Sequence, residues 1–261
     1  MSAPPDIAPV TDALAYLGTS RYGGSQDWPT LSAQARAMGI TRVVCAPAMP
    51  ADRDLGSANE RLIDRAVRPA ENDVELVALA RVDPWEPGAA GLADGTLTAG
   101  SAGLFLHPWE ETYAVTRTDV LAPLMSVAER HGVPVVVEAG FPWLAEPAQV
   151  GRLASCFPAV PIVATRGGHM NMSGLSGDVA LRALRQNPNL YVTTSGVYRR
   201  DWLGSAIAEV GSSRFLYASL APTLDARLEL ARARALHLPA AAMTQVLREN
   251  AAELFSRTPY R

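Results

Sequence analysis

Lysine is missing from this chain: all 23 basic residues among 261 are arginine. The absence excludes a lysine Schiff base, and with it covalent attachment of pyridoxal phosphate, and also a carbamylated lysine bridging two metals. Cysteine is scarce, and Cys45 and Cys156 lie too far apart for metal-ligand spacing. Cys45, in an apolar run, and Cys156, in a helix-to-strand connection, are both expected to be buried and inert. An excess of one charge is lacking too. The net charge of -3 gives nucleic acid or an anionic membrane no reason to bind, and Arg199-Arg200 reads as surface rather than as a phosphate patch. No apolar stretch reaches transmembrane length, and Met1-Ser2-Ala3-Pro4-Pro5 has neither a basic nor an apolar leader region. The expectation is a cytoplasmic protein whose partner is a small molecule.

What is present is a repeat of short apolar runs. With 48% hydrophobic residues, the chain has material for one substantial core. Runs rich in β-branched residues fall at Val10-Tyr16, Arg42-Ala46, Glu75-Val82, Ala102-His107, Val133-Glu138, Pro161-Arg166, Leu190-Ser195 and Arg214-Ser219. Helical stretches separate them at Leu31-Met38, Asn59-Val67, Leu121-His131 and Leu181-Gln186, and Leu224-Leu236 and Ala241-Phe255 close the chain. Strands too apolar to have a wet face imply a parallel sheet covered by helices. Eight such units predict an α/β fold, a single (β/α)8 barrel over residues 1–261. An open doubly wound sheet would carry a Gly-rich phosphate turn after its first strand, and Gly23-Gly24 lacks that spacing.

In such a barrel chemistry gathers at the carboxyl ends of the strands. The words around those ends are Asp12-Ala13-Leu14-Ala15-Tyr16-Leu17-Gly18, Ala80-Arg81-Val82-Asp83-Pro84-Trp85, Gly103-Leu104-Phe105-Leu106-His107-Pro108-Trp109, Val133 to Gly140, Ile162 to Gly168 and Arg214 to Pro222. Six of them in order at barrel pitch resemble the amidohydrolase-related family, in the branch that includes aminocarboxymuconate-semialdehyde decarboxylase. The resemblance runs from about Val10 to the Asn250-Phe255 helix. It implies a TIM barrel, a zinc or similar ion, and a dimer. It also implies metal-binding histidines at Leu14 and Tyr16, further histidines at Glu138 and Arg166, and an aspartate at Leu220. All five positions hold other residues here. Leucine cannot ligate and arginine repels a cation, so no metal and no other cofactor is expected.

The replacements fall into two groups. Leu14 and Leu220 are expected to wall the pocket and raise the pKa of a neighbouring acid. Glu138 and Arg166, on adjacent strands, are expected to pair across its floor, and a close Arg166 would lower the Glu138 pKa. Glu138 is then the candidate acid-base residue, Arg166 an anion or oxyanion binder, and Tyr16 and His107 proton or hydrogen-bond donors. His169, on the loop Gly167-Gly168-His169-Met170-Asn171-Met172, is a candidate ligand contact. Trp28, Trp109, Phe141, Trp143 and Tyr198, with Tyr22, Trp85, Tyr113 and Trp202, crowd the same loops and suit a flat, conjugated or polycyclic molecule. The expected function is metal-independent acid-base chemistry (lyase, cyclase, isomerase or hydrolase) in specialised metabolism. Two alternatives stand beside it: a non-catalytic ligand-binding or partner subunit, and a metal-dependent hydrolase or decarboxylase with displaced ligands.

Overall fold

The computed structural model describes residues 9–170 and 174–256; the opening Met1-Pro5 and Asn171-Met172 lie outside them. Eight parallel strands follow one another around a barrel: β1 (Val10–Thr19), β2 (Ile40–Pro47), β3 (Glu75–Ala78, resuming at Ala80–Arg81), β4 (Leu104–Leu106), β5 (Val135–Val137), β6 (Ile162–Ala164), β7 (Leu190–Thr193) and β8 (Phe215–Leu216). A two-residue strand, Ser25–Gln26, pairs antiparallel with the end of β1. The seam closes where Ala13 N–H donates to Tyr217 O at 2.9 Å and Leu220 N–H donates to Leu14 O at 2.9 Å.

The helices between strands are α1 (Trp28–Ala37), α2 (Leu55–Ala66), α3 (Ala89–Ala99), α4 (Thr118–His131), α5 (Pro147–Cys156), α6 (Gly174–Gln186), α7 (Arg200–Val210) and α8 (Ala226–Arg234). Helix α1 starts three residues before the expected Leu31 because Asp27 accepts the Thr30 N–H at 2.9 Å, and Asp54 starts α2 early in the same way, through Ser57. Helices α3, α5 and α7 have no counterpart in the expected set. In α3 glycine and threonine break the apolar rhythm, and α5 begins on a Glu146/Gln149 capping box rather than on a Ser or Thr signal. Cys156, the last residue of α5, is exposed rather than buried, whereas Cys45 is fully buried in β2. The chain's last helical run, α9 (Ala240–Thr244), a π segment at Gln245–Glu249 and α10 (Asn250–Leu254), packs on β1 and β8. Asn250 bonds the carbonyl of Phe215, and Phe255 enters the interior of the barrel, so this run anchors the amino end and leaves the opposite end to the loops.

Two layers of packing result. Leu14, Val44, Leu79, Phe105, Val136, Val163 and Leu216 fill the barrel, while the other faces of the strands pack under the helices. One carboxylate sits inside this apolar frame at the seam. Asp12 Oδ1 accepts the N–H groups of Ser219 (2.8 Å) and Leu14 (3.2 Å), at an irregularity in the β1–β2 register between Asp12 and Ala15. Burial pushes its pKa up to about 7, against the pull of those bonds. A raised pKa means that the folded state keeps a proton the unfolded chain has lost. Its contribution is complete below the ordinary value of 3.8 and disappears as the pH rises to about 7. Glu111, raised by burial to about 7, adds in the same direction. Urea denaturation from pH 4 to 8 is therefore expected to show falling stability, and Asp12→Asn is expected to flatten the curve. A profile that rises through this window would count against both assignments.

Candidate active site

The carboxyl ends of five strands converge on one cavity of about 350 Å³, lined by Tyr16 of β1, Arg81 of β3, His107 after β4, Glu138 after β5 and Arg166 after β6. Glu138, 1% exposed, lies at its floor. Tyr16 Oη donates to Glu138 Oε2 at 2.7 Å, and Arg166 approaches Oε1 with Nε and Nη2, each at 3.0 Å. Thr165 steadies the floor: its Oγ1 accepts the Ala139 N–H at 2.9 Å. Arg166 reaches the carboxylate from a left-handed backbone, φ 56°, a conformation that costs a non-glycine residue about 1–2 kcal/mol. Its N–H is held by Thr193 Oγ1 at 3.1 Å, and Gly196 leaves space for the guanidinium, since a Cβ there would meet Nη1 at 3.3 Å.

These contacts settle the charges. Burial pushes the Glu138 carboxyl up, but Arg166, His107 and the bond from Tyr16 outweigh it and hold it below its ordinary value. Glu138 is thus ionised at neutral pH. Burial and the Glu138 charge push the Tyr16 phenol well above its ordinary value, so it stays a neutral donor. Burial lowers the His107 imidazole, which is neutral at pH 7. Its Nδ1 accepts the Glu110 N–H at 3.3 Å, which places the ring hydrogen on Nε2.

Sequence reasoning missed a second cluster. Arg81 is 1% exposed, and each guanidinium nitrogen has an acceptor: Glu111 Oε1 at 2.8 Å, Glu110 Oε2 at 2.6 Å and Pro47 O at 3.2 Å. Glu111 Oε2 in turn takes the His107 N–H at 3.0 Å, which ties this cluster to the strand carrying the histidine. A charge inside the apolar word Leu79–Val82 and two adjacent glutamates after the fourth strand were the available signals. Asp83, two residues beyond Arg81, pairs with Arg53 outside the cavity.

The mouth is aromatic. Trp109 stacks on Phe141 with centroids 5.2 Å apart and planes 13° from parallel, and His107 stands 6.0 Å from Phe141. Tyr22 Oη donates to Glu110 O at 3.2 Å, drawing the Gly23-Gly24 loop across the opening.

Six residues expected to face the ligand stand elsewhere. Leu14 and Leu220 are fully buried in the interior packing below the cavity rather than forming its wall. Trp28 opens α1 and packs beneath the helix layer, with the Arg65 guanidinium 5.4 Å from its ring. Trp143 sits in a turn, φ 63°, and is 81% exposed. Tyr198 lies under Arg232, 4.4 Å away, and His169 packs edge-on against Trp202 at 4.5 Å.

The donor set does not fit the metal implied by the sequence resemblance. Among the described residues no three His, Cys, Asp or Glu side chains gather as a metal-holding group. Glu138, the one carboxylate at the family's ligand positions, is already bonded to a phenol and a guanidinium.

A closed α/β barrel with ionisable side chains gathered at its strand ends is an enzyme scaffold. The amidohydrolase family model matches residues 19–257, and the chain belongs to that family. No curated protein matches the chain. Solved structures do. An uncharacterised TIM-barrel protein from Bordetella bronchiseptica superposes with a TM-score of 0.73 at 16% identity, covering 95% of this chain and 98% of that one. A dihydroxybenzoic acid decarboxylase from Polaromonas sp. JS666, with bound manganese and 2-nitroresorcinol, gives 0.70 at 16%, covering 95% and 97%. The 5-carboxyvanillate decarboxylase of Sphingomonas paucimobilis gives 0.70 at 16%, covering 88% and 83%. At these identities the likeness is one of fold.

Proposed function

We propose that this barrel is a metal-independent enzyme that performs acid-base chemistry on a small aromatic molecule. The observation that carries the reading is the Tyr16–Glu138–Arg166 cluster, which occupies the cavity floor beneath a stacked aromatic pair. All three of its members stand where the resemblance implies histidines, and the charges of Glu138 and Arg166 cancel without a cation.

Each group has a part in this scheme. Trp109 and Phe141 hold the flat ring. Glu138 accepts the proton. A carboxylate held below its usual pKa is a weak base, which suits an acidic proton, on a carbon between two carbonyls or on the already protonated ring carbon of an electron-rich phenol. The Nε2–H of His107 donates a hydrogen bond to the substrate oxygen on which charge develops, while the Tyr16 O–H stays on Glu138 and orients it. Arg166 keeps Glu138 ionised. Names of solved neighbours that act on aromatic acids add support for an aromatic substrate.

Metal analysis tests the proposal. Protein purified without chelator is expected to hold far less than one ion per chain, and chelation is expected to leave its melting temperature and activity unchanged. A stoichiometric ion whose removal abolishes activity would sink the metal-independent reading.

A further inference from the structure

The charges around the cavity constrain the substrate more narrowly than its shape does. Two arginines and two glutamates line it: Arg81 and Arg166 against Glu110 and Glu138, with Glu111 buried behind Arg81. Each guanidinium already has a carboxylate partner. Arg166 spends Nε and Nη2 on Glu138, and all three nitrogens of Arg81 have protein acceptors. Arg21, near the rim, lies over the Tyr22 ring at 5.6 Å and is not part of the lining. Among the described residues that line the cavity no cation lacks a carboxylate partner, so an anion would have to compete with a glutamate for its guanidinium. Hydrogen-bond acceptors, by contrast, are plentiful: the Glu110 and Glu138 carboxylates, the Tyr16 phenol oxygen and the hydroxyls of Ser20 and Thr223.

We propose that the cavity selects uncharged, hydroxylated aromatic rings and rejects aromatic carboxylates. The inference rests on the reading of this cavity as an aromatic-binding active site. It separates this chain from its solved neighbours, whose names include aromatic acids. Ring hydroxyls donate to the glutamates, the ring lies against Trp109 and Phe141, and the Glu110 and Glu138 carboxylates of the lining repel a further carboxylate.

Calorimetric titration at neutral pH with resorcinol and with 2,6-dihydroxybenzoate provides the test, because the two probes share a ring and two hydroxyls and differ by one carboxylate. Resorcinol is expected to bind at least about tenfold more tightly. Glu110→Gln, which removes one charge while keeping the shape, is expected to narrow that ratio. Trp109→Ala is expected to weaken resorcinol binding and so to locate it at this cavity. Equal or tighter binding of 2,6-dihydroxybenzoate, still sensitive to Trp109→Ala, would overturn the charge selection and leave the aromatic site standing. Failure of both probes to bind, or binding indifferent to Trp109→Ala, would overturn the aromatic-site reading together with the inference.

Discussion

Glu138→Gln is expected to slow proton exchange at the ring carbons of resorcinol in heavy water by about 10²–10⁴-fold, the usual worth of a positioned acid-base group. The assay needs no knowledge of the physiological substrate. A deuteron from the heavy water is added to a ring carbon and a proton is removed from that carbon, and Glu138 is an ionised group at the cavity floor able to accept that proton and release it to solvent. Glutamine keeps the length of the side chain and one acceptor for Tyr16 or Arg166, but it cannot be protonated at neutral pH. The change thus separates proton transfer from packing. Deuterium uptake is followed by proton NMR, and thermal melting confirms that the variant is folded. Exchange at the wild-type rate in a folded variant would remove Glu138 as the acid-base residue.

The second large effect is on stability. Arg166→Met removes one partner of a buried ion pair and leaves Glu138, 1% exposed, without its cation. Breaking such a pair from one side costs about 3–5 kcal/mol. Part of the cost is recovered at low pH, because burial, no longer opposed by Arg166, raises the Glu138 pKa and the acid takes up a proton. The sign differs in the wild type, where Glu138 has a depressed pKa. Its contribution is present above the ordinary value of 4.5 and is lost as the pH falls through the lower, folded value. The double variant Glu138→Leu with Arg166→Met is expected to be more stable than Arg166→Met alone, since no uncompensated charge remains. Urea denaturation of the wild type, Arg166→Met, Glu138→Leu and the double variant checks this, and additive losses would argue against a coupled pair.

Much of the fold was legible because a parallel barrel writes itself locally. Each strand is an apolar run and each helix a separate amphipathic stretch, so Val135–Val137 or Ile162–Ala164 can be found without knowing its neighbours. The exceptions follow the same logic. Helix α3 was missed because Ala89–Ala99 is built from small residues with little periodic signal, and the early start of α1 depended on the cap at Asp27. The pairing of Glu138 with Arg166 was also readable, because consecutive parallel strands place their carboxyl ends side by side.

Direction and depth were not readable. Leu14 and Leu220 belong to strand ends that reach the cavity, yet both side chains sink into the interior packing. Trp143 and Tyr198 belong to loops of the same face, yet one turns to solvent and the other lies under an arginine. Arg81 and Glu110-Glu111 are about 30 residues apart and look unremarkable in the chain; burial makes them a charge cluster, because a guanidinium withdrawn from water must find carboxylates. The amino-acid sequence by itself determined the barrel, the residue types at its strand ends and the juxtaposition of Glu138 and Arg166, since these depend on strand order and residue type. The tertiary structure decided which side chains face the cavity, how deep they lie and which charges are spent on one another, since these depend on side-chain direction and packing across strands distant in the chain.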